Sequence, residues 1–329
     1  MRPEVAPGAR QPGARPPRAS PPRVVVIGDA LIDELRGPSG VREFVGGAAL
    51  NVAVGLALLG EEVTLLAMVG DDEPGDRIRR YLADHRVRLV ASPSPAGTSR
   101  AVSDRTEGGE PRYEFNDAAR QRRIAFDDEA RAALDSADLV VVSCFPFDDA
   151  RQATALRHAV DRPRERLVID ANPRSGMLHD RDGFLRGFER LASEALLVKV
   201  GDEDAALLLE APLDAFVARL RSGAEAPAAG PVSGPAVLAT AGRDGARVHH
   251  RDLEIRAGIV DLPGPVVDTM GAGDATLSAV VHRIAVDGMP GSEAAWSNVL
   301  GEAMAIAAAT VRREGALLRR PSEAPVAAS

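Results

Sequence analysis

Residues 268–279 read DTMGAGDATLSA: two glycines in a short loop that opens onto an apolar, alanine-rich run. Gly271 and Gly273 lack a Cβ, so the backbone can come close to a ligand here. A helix that begins at this point directs unpaired N–H groups and the positive end of its dipole outward, the geometry that receives a phosphate. Yet where a phosphate-binding G-x-x-x-x-G-K-[ST] loop places its lysine, this loop has an acid, Asp274. The dipole favours a carboxylate just inside a helix start, so Asp274 is expected to stay ionised. An ionised acid beside a phosphoryl site can take the proton from an attacking hydroxyl. Taken alone, the motif is equally compatible with a helix-start carboxylate that has no chemical task.

Outward from this loop, β-branched runs alternate with helical patterns. Residues 24–28, 63–70, 137–143, 166–170, 195–200 and 236–242 are continuous in apolar character, as strands are when both faces of a parallel sheet are covered. Helices are expected over 48–59, 74–85, 127–134, 202–209, 271–286 and 292–313. The alternation predicts an α/β fold: a doubly wound, mostly parallel sheet flanked by helices. Residues 98–116, TSRAVSDRTEGGEPRYEFN, break the pattern with two polar strand candidates around a Gly-Gly turn. They are too polar for the middle of a parallel sheet and are expected to project as a flap, joined by a segment from about 33–46 that contains VREFV. Residues 1–22, rich in Pro, Arg, Gly and Ala, and residues 321–329 are expected to be disordered tails around one domain at 23–320. Residues 222–235 are expected to form a flexible surface loop.

Composition narrows the function classes. The chain has 329 residues, 45% of them hydrophobic, and a net charge of −8 with scattered basic residues, which argues against nucleic acid as a partner. No apolar run reaches membrane-spanning length and no secretory leader is evident, so the expectation is a soluble, cytoplasmic protein with no membrane partner. A single cysteine, Cys144, excludes an internal disulfide and reads as a small core residue. Of 40 basic residues only Lys199 is a lysine, at the end of the 195–200 strand, where ligands collect in open α/β sheets. It is expected near a nucleotide phosphate, with chance survival at a surface position as the competing reading. His249 and His250 have no metal-ligand partners at suitable spacing and read as surface polarity. Neither a P-loop nor a dinucleotide G-x-G-x-x-G is present.

A second glycine pair opens GGAALNVAVGLALLG, residues 46–60, with Asn51 early in the helix that follows. Gly46 and Gly47 permit close backbone contact, and the Asn51 amide can donate and accept to a polyhydroxylated ligand. In this order and spacing, the two motifs resemble the paired signatures of the PfkB (ribokinase-like) carbohydrate kinases, and the resemblance extends from residue 23 to about 320. GDALID resembles the segment whose acid grips sugar hydroxyls, matched by Asp33 with Asp29 assisting. VGDDEPGD resembles the family's turn at Gly70, Asp72 and Gly75. DANPR resembles the D-x-N-x-R segment of fructokinase-like members, at Asp170, Asn172 and Arg174. TAGRDGA resembles the nucleotide loop, at Thr240, Gly242 and Gly245, and Thr269 is carried over as a nucleotide contact.

The resemblance implies ATP-dependent phosphorylation of a sugar hydroxyl, with Asp274 as general base and the backbone of Gly271, Ala272 and Gly273 as an anion hole. Sugar recognition falls to Asp29, Asp33, Gly46, Gly47, Asn51 and Arg174. ATP falls to Lys199, Thr240, Gly242, Gly245 and Thr269, and Mg2+ to Asn172, Glu203 and Asp204, with a monovalent cation such as K+ as a further candidate. The family's N-x-x-E appears here as GDED, with Gly201 in the Asn position and Asp204 in the Glu position. The aromatic that usually follows D-x-N-x-R is missing from SGMLHD, which leaves the sugar open. Fructose leads, ribose and 2-keto-3-deoxygluconate follow, and a nucleoside kinase or a catalytically silent sugar-binding regulator are the alternatives. Lids in related kinases often pair between subunits, so a homodimer is expected.

Overall fold

Seven strands lie side by side and parallel, and all but the edge strand are apolar along nearly their whole length because helices cover both of their faces. In the computed structural model, which describes residues 20–37, 40–104, 112–222 and 234–323, the strands in chain order are β1 Arg23–Gly28, β2 Leu31–Gly37, β3 Gly40–Gly46, β4 Glu62–Val69, β5 Arg88–Pro93, β6 Arg100–Asp104 and β7 Arg112–Phe115. They continue as β8 Leu139–Ser143, β9 Leu167–Asp170, β10 Leu197–Gly201, β11 Ala236–Thr240, β12 Ala246–His250 and β13 Leu253–Ala257. The main sheet has the order β13-β12-β11-β10-β9-β8-β1-β4-β5, and only β12 and β13 run antiparallel to their neighbours. This is the doubly wound, mostly parallel sheet that the alternation implies.

The two faces explain the continuous apolar runs. In β1, Val24 and Val26 enter the core beneath helices Ala48–Leu59, Ala272–Asp287 and Glu293–Thr310. Val25 and Ile27 point the other way, into a core that holds Phe145, Phe147, Phe184, Phe188 and Phe216. All six expected strands and six expected helices form, with ends that move by up to three residues. The edge strand β5 and helices Ala150–Ala159, Arg181–Ala192 and Leu213–Ser222 were not foreseen. Each buries one face only; β5, for example, alternates exposed and buried positions until Pro93 ends it. His249 and His250 correct a second expectation: both are buried, and His250 Nδ1 accepts from the Trp296 indole at 3.1 Å.

A second sheet, β3-β2-β6-β7, stands over the carboxyl ends of the main strands as a lid. It unites the two segments expected to form the flap, since β2 pairs antiparallel with β3 and parallel with β6. The Gly-Gly turn, most of the 222–235 loop and most of both tails lie outside the described residues. Pro321–Glu323, at the start of the expected C-terminal tail, form a 3-10 turn. No helix among the described residues is long and apolar enough to cross a membrane.

The lid is rooted at the turn after β4. Asp72 caps helix Glu73–Asp84 through Gly75 N at 2.9 Å, and the same carboxylate accepts from Thr98 N at 2.8 Å and from the Thr98 hydroxyl. Burial pushes its pKa up, but these hydrogen bonds outweigh it and hold the carboxyl below its ordinary value. A Cβ on Gly70 would lie 2.5 Å from Thr98 N, and one on Gly75 2.2 Å from Gly70 O, so the turn closes only around glycine.

Candidate active site

The carboxyl ends of β8, β9 and β10 supply a buried polar group under the helix Ala272–Asp287. Lys199 Nζ donates to Asp170 Oδ1 at 2.8 Å, and Asp170 Oδ2 accepts from Ser143 Oγ at 3.0 Å and Asn172 Nδ2 at 3.2 Å. Lys199 is only 5% exposed, so it is no surface survivor. Burial disfavours its charge, yet Asp170, Asp204 and Asp274 outweigh burial and raise its pKa. A Cβ placed on Gly273 would lie 3.7 Å from Nζ, which puts the ammonium directly beneath the glycine loop.

That loop is shaped by its neighbours as well as for a ligand. Gly271 adopts φ 77°, and a Cβ there would lie 2.6 Å from Ala316 Cα. Asp268 braces both sides of the turn: Oδ1 accepts from Met270 N at 3.0 Å and Oδ2 from Gly315 N at 3.1 Å. The backbone N–H groups of Gly271, Gly273 and Asp274 have no acceptor among the described residues. Ala272 departs from the expected three-amide hole, because its N–H closes the turn onto Thr269 O at 3.3 Å. The Thr269 side chain is exposed and makes no hydrogen bond among the described residues.

Asp274 lies in the first turn of this helix, 7% exposed, with Oδ2 accepting from Asn51 Nδ2 at 2.8 Å. The dipole does not keep its pKa ordinary. Burial dominates and pushes it up to about 6, despite the Asn51 hydrogen bond and the charges of Lys199 and Arg174. At neutral pH the group is mostly ionised and ready to take a proton.

Across the cleft, Asp33 of β2 is half-buried and its pKa is pushed up to about 7, first by burial and then by Asp29, against the pull of Arg174. A Cβ on Gly46 would lie 2.1 Å from Asp33 Oδ2, and Gly47, at φ 110°, lets the chain turn past Asp29 O into the helix that carries Asn51. Asp29 differs in kind: its Oδ1 accepts from Ala49 N at 3.0 Å and so caps that helix. Burial raises its pKa against this bond. Arg174 is exposed, has no hydrogen-bond partner among the described residues, and is near Asp29, Asp33, Asp204 and Asp274 electrostatically. Its guanidinium is the cation set among the acids of this cleft.

The expected metal donors are only partly assembled. Asp204 Oδ2 accepts from Gly201 N at 2.6 Å, Asn172 (φ 37°) turns its amide toward Ser143 and Asp170, and Glu203 is exposed. The Asp204 pKa is pushed up to about 6, chiefly by burial, against Lys199. Among the described residues no three His, Cys, Asp or Glu side chains form a cage. These are hard oxygen donors with Asp204 Oδ1 uncommitted, a set that suits magnesium held largely through water and phosphate.

At the expected nucleotide loop, Gly242 takes φ 46° and Gly245 φ 82°. Gly245 is required by packing, since a Cβ would lie 2.2 Å from Ala257 O in β13. Thr240 Oγ1 contacts Val200 O at 3.5 Å. A cavity of about 250 Å3 opens between this loop and β13, lined by Ala241, Asp244, Arg247 and Arg256 among others. Sequence reasoning did not single out Ser143 and Asp268 as site residues, because each acts through backbone or a distant side chain.

Comparison with known proteins bears on the family and the fold. The model of the pfkB family carbohydrate kinases matches residues 22–323. A fructokinase of Klebsiella pneumoniae is 27% identical over 90% of this chain and 95% of its own length. An acarbose 7(IV)-phosphotransferase of Actinoplanes is 31% identical over 69% of each chain. The fold matches that of a Xylella fastidiosa fructokinase solved with bound ATP, at a TM-score of 0.70 and 23% identity, over 92% of this chain and 96% of that one. With a lid sheet over a doubly wound core, an acid at the start of a glycine-led helix, and a family match across nearly the whole chain, the protein belongs to the pfkB family of carbohydrate kinases, which use ATP to phosphorylate sugars.

Proposed function

We propose that this kinase is a fructokinase-like enzyme that transfers the γ-phosphoryl group of ATP to a hydroxyl of a small sugar, with fructose the first candidate. The observation that carries the reading is the Asp274 carboxylate, buried, poised near neutrality and set beside the open N–H groups of Gly271 and Gly273. Asp274 takes the hydroxyl proton, and the sugar oxygen attacks the γ-phosphorus as the bond to the ADP oxygen breaks. The amides and Lys199 face the charge that spreads over the phosphoryl oxygens. Asp33, Gly46, Gly47, Asn51 and Arg174 bind the sugar, with Asp29 holding their scaffold. Thr240, Gly242, Gly245 and Thr269 bind the nucleotide.

Mg2+ would be held by Asp204, Glu203 and Asn172 through water, and would neutralise the polyphosphate charge. A K+ requirement is part of the proposal and is read from activity in potassium against sodium salts. Closure of the lid excludes water that would otherwise take the phosphoryl group. Hydrogen exchange in residues 98–116 unchanged by saturating sugar would remove the lid from this account. Pairing of lids into a homodimer is checked by mass in solution.

Fructose is favoured because the Klebsiella relative is a fructokinase that matches almost end to end. The Actinoplanes relative, named for acarbose, gives a reason to test larger acceptors. The deciding experiment measures ADP release with MgATP over fructose, ribose, 2-keto-3-deoxygluconate, nucleosides and acarbose. Turnover confined to fructose supports the assignment. Turnover of a nucleoside instead, or of none, moves it to one of the alternatives.

A further inference from the structure

Helices Ala48–Leu59 and Ala272–Asp287 cross at a point where neither has room for another atom. A Cβ on Gly55 would lie 2.6 Å from Ser278 Oγ and 3.1 Å from Ser278 Cβ. Ser278 Oγ itself donates to Asp274 O at 2.7 Å and lies 3.4 Å from Val52 O, so one hydroxyl touches the backbones of both helices. One turn above this seam, toward the cleft, Asn51 and Asp274 meet at 2.8 Å. The bond leaves Asp274 Oδ1 without a protein partner among the described residues, and that oxygen is not sealed from solvent. The buried carboxylate thus has one oxygen tied down and one open.

We propose that Asn51, seated by the Gly55–Ser278 seam, is a positioning residue that fixes the Asp274 carboxylate with Oδ2 occupied and Oδ1 turned to the acceptor hydroxyl. This goes beyond sugar contact by Asn51 and rests on Asp274 being the base. With Oδ2 engaged by the Asn51 amide, Oδ1 is the carboxylate oxygen left without a protein partner to receive the hydroxyl proton. Asn51 also opposes burial in setting when Asp274 titrates. The other charges facing Asp274 are Lys199 of β10, Asp170 of β9, Arg174 after β9, and Asp33 of β2. None of them occupies Oδ2.

The test is a pair of near-isosteric variants, Asn51→Leu and Asn51→Asp, assayed for kcat against pH with MgATP and fructose. Loss of a hydrogen bond to a buried carboxylate moves its titration up by about one pH unit or more, and a second carboxylate at that distance moves it further. The acid limb of kcat is therefore expected to rise in the order wild type, Asn51→Leu, Asn51→Asp, with kcat on the plateau down about tenfold as the base loses alignment. A raised KM for sugar with an unmoved acid limb would overturn the proposal and leave Asn51 as a sugar ligand alone. The seam is tested by Gly55→Ala, expected to shift the limb the same way, and by Gly55→Ala with Ser278→Gly and Leu318→Ala, which removes the three side-chain atoms that a Cβ at Gly55 would meet and is expected to restore it. Failure of that rescue, with both proteins folded, overturns the part assigned to the seam. Infrared difference titration of each protein against its Asp274→Asn counterpart reads the same carboxyl without any substrate. It separates this inference from the catalytic one: full activity of Asp274→Asn sinks the base, whereas an unmoved Asp274 titration in Asn51→Leu sinks only the positioning.

Discussion

The cleft, between the rim of the main sheet and the start of β2, and the outer part of the lid sheet handle carboxylates in opposite ways. At the rim, Asp274 and Asp204 are pushed up to about 6 and, across the cleft at the lid's root, Asp33 to about 7, because burial outweighs every favourable partner. Out on the lid, Glu43 lies between Arg77 and Arg100, half in water, and these two arginines hold its carboxyl below the ordinary value. Glu34 meets Arg100 and Arg36 on the same surface. The rim tolerates an unfavourable charge state, which leaves its carboxyls titrating closer to neutral pH than free ones. The lid uses half-buried ion pairs that stay in contact with water and so cost less to break than fully buried ones. Arg77 belongs to helix Glu73–Asp84 of the core, so its bond to Glu43 of β3 also latches lid to body.

The largest effect should come from the rim. Asp274→Asn is expected to lower kcat by at least about a hundredfold, with KM for sugar moving much less. A variant with near-normal kcat would reduce Asp274 to a helix-start acid. The same substitution removes a buried ionised group, so at pH 8 thermal unfolding is expected to shift upward, by roughly 1–3 kcal/mol of stability. A carboxyl with a raised native pKa keeps its proton longer folded than unfolded. Its stabilising contribution is therefore full below about pH 4 and is lost as pH rises through about 6. The Asp274→Asn protein should show a shallower fall of Tm between about pH 4 and 6.

Next in size is Lys199→Met, which leaves the fully buried Asp170 without its ammonium partner. Breaking a buried pair costs about 3–5 kcal/mol, read from chemical denaturation. In the folded remainder, KM for ATP rises or kcat falls; unchanged ATP kinetics would confine Lys199 to structure. Asp33→Asn is expected to raise KM for sugar about ten- to a hundredfold and spare kcat, since it removes a charged hydrogen-bond acceptor from recognition alone. In the parent enzyme, KM for sugar should rise as pH falls through about 7, where Asp33 takes up a proton. A flat KM from pH 6 to 8 would contradict its role.

The smallest effect belongs to the lid. Glu43→Gln should cost less than about 1 kcal/mol after allowance for solvent screening, because Arg77 and Arg100 remain hydrated. Its contribution has the opposite pH sign to the rim: present above the ordinary glutamate range and lost as pH falls below it. Faster hydrogen exchange in β3 with an unchanged melting midpoint would confirm a local latch; a large loss of global stability would erase the contrast between the two regions.

The sequence by itself determined what repeats or spaces regularly. Continuous apolar runs forced a covered parallel sheet, since an uncovered strand of that composition would expose both faces to water. The polarity of residues 98–116 put them outside that sheet, and the glycine pairs at 46–47 and 271 and 273 marked the starts of the two helices whose first turns meet at Asn51 and Asp274. One-sided elements such as β5 and helix Ala150–Ala159 stayed hidden, because half their surface looks like any solvated segment. Only tertiary structure decided the electrostatics. From sequence, the helix dipole argued that Asp274 would be an ordinary ionised acid. Burial overrode the dipole, since desolvation depends on every atom around the group and not on its neighbours in the chain. The same holds for Asn51 and Asp274, 223 residues apart, which meet at 2.8 Å because two helices pack without a side chain at Gly55.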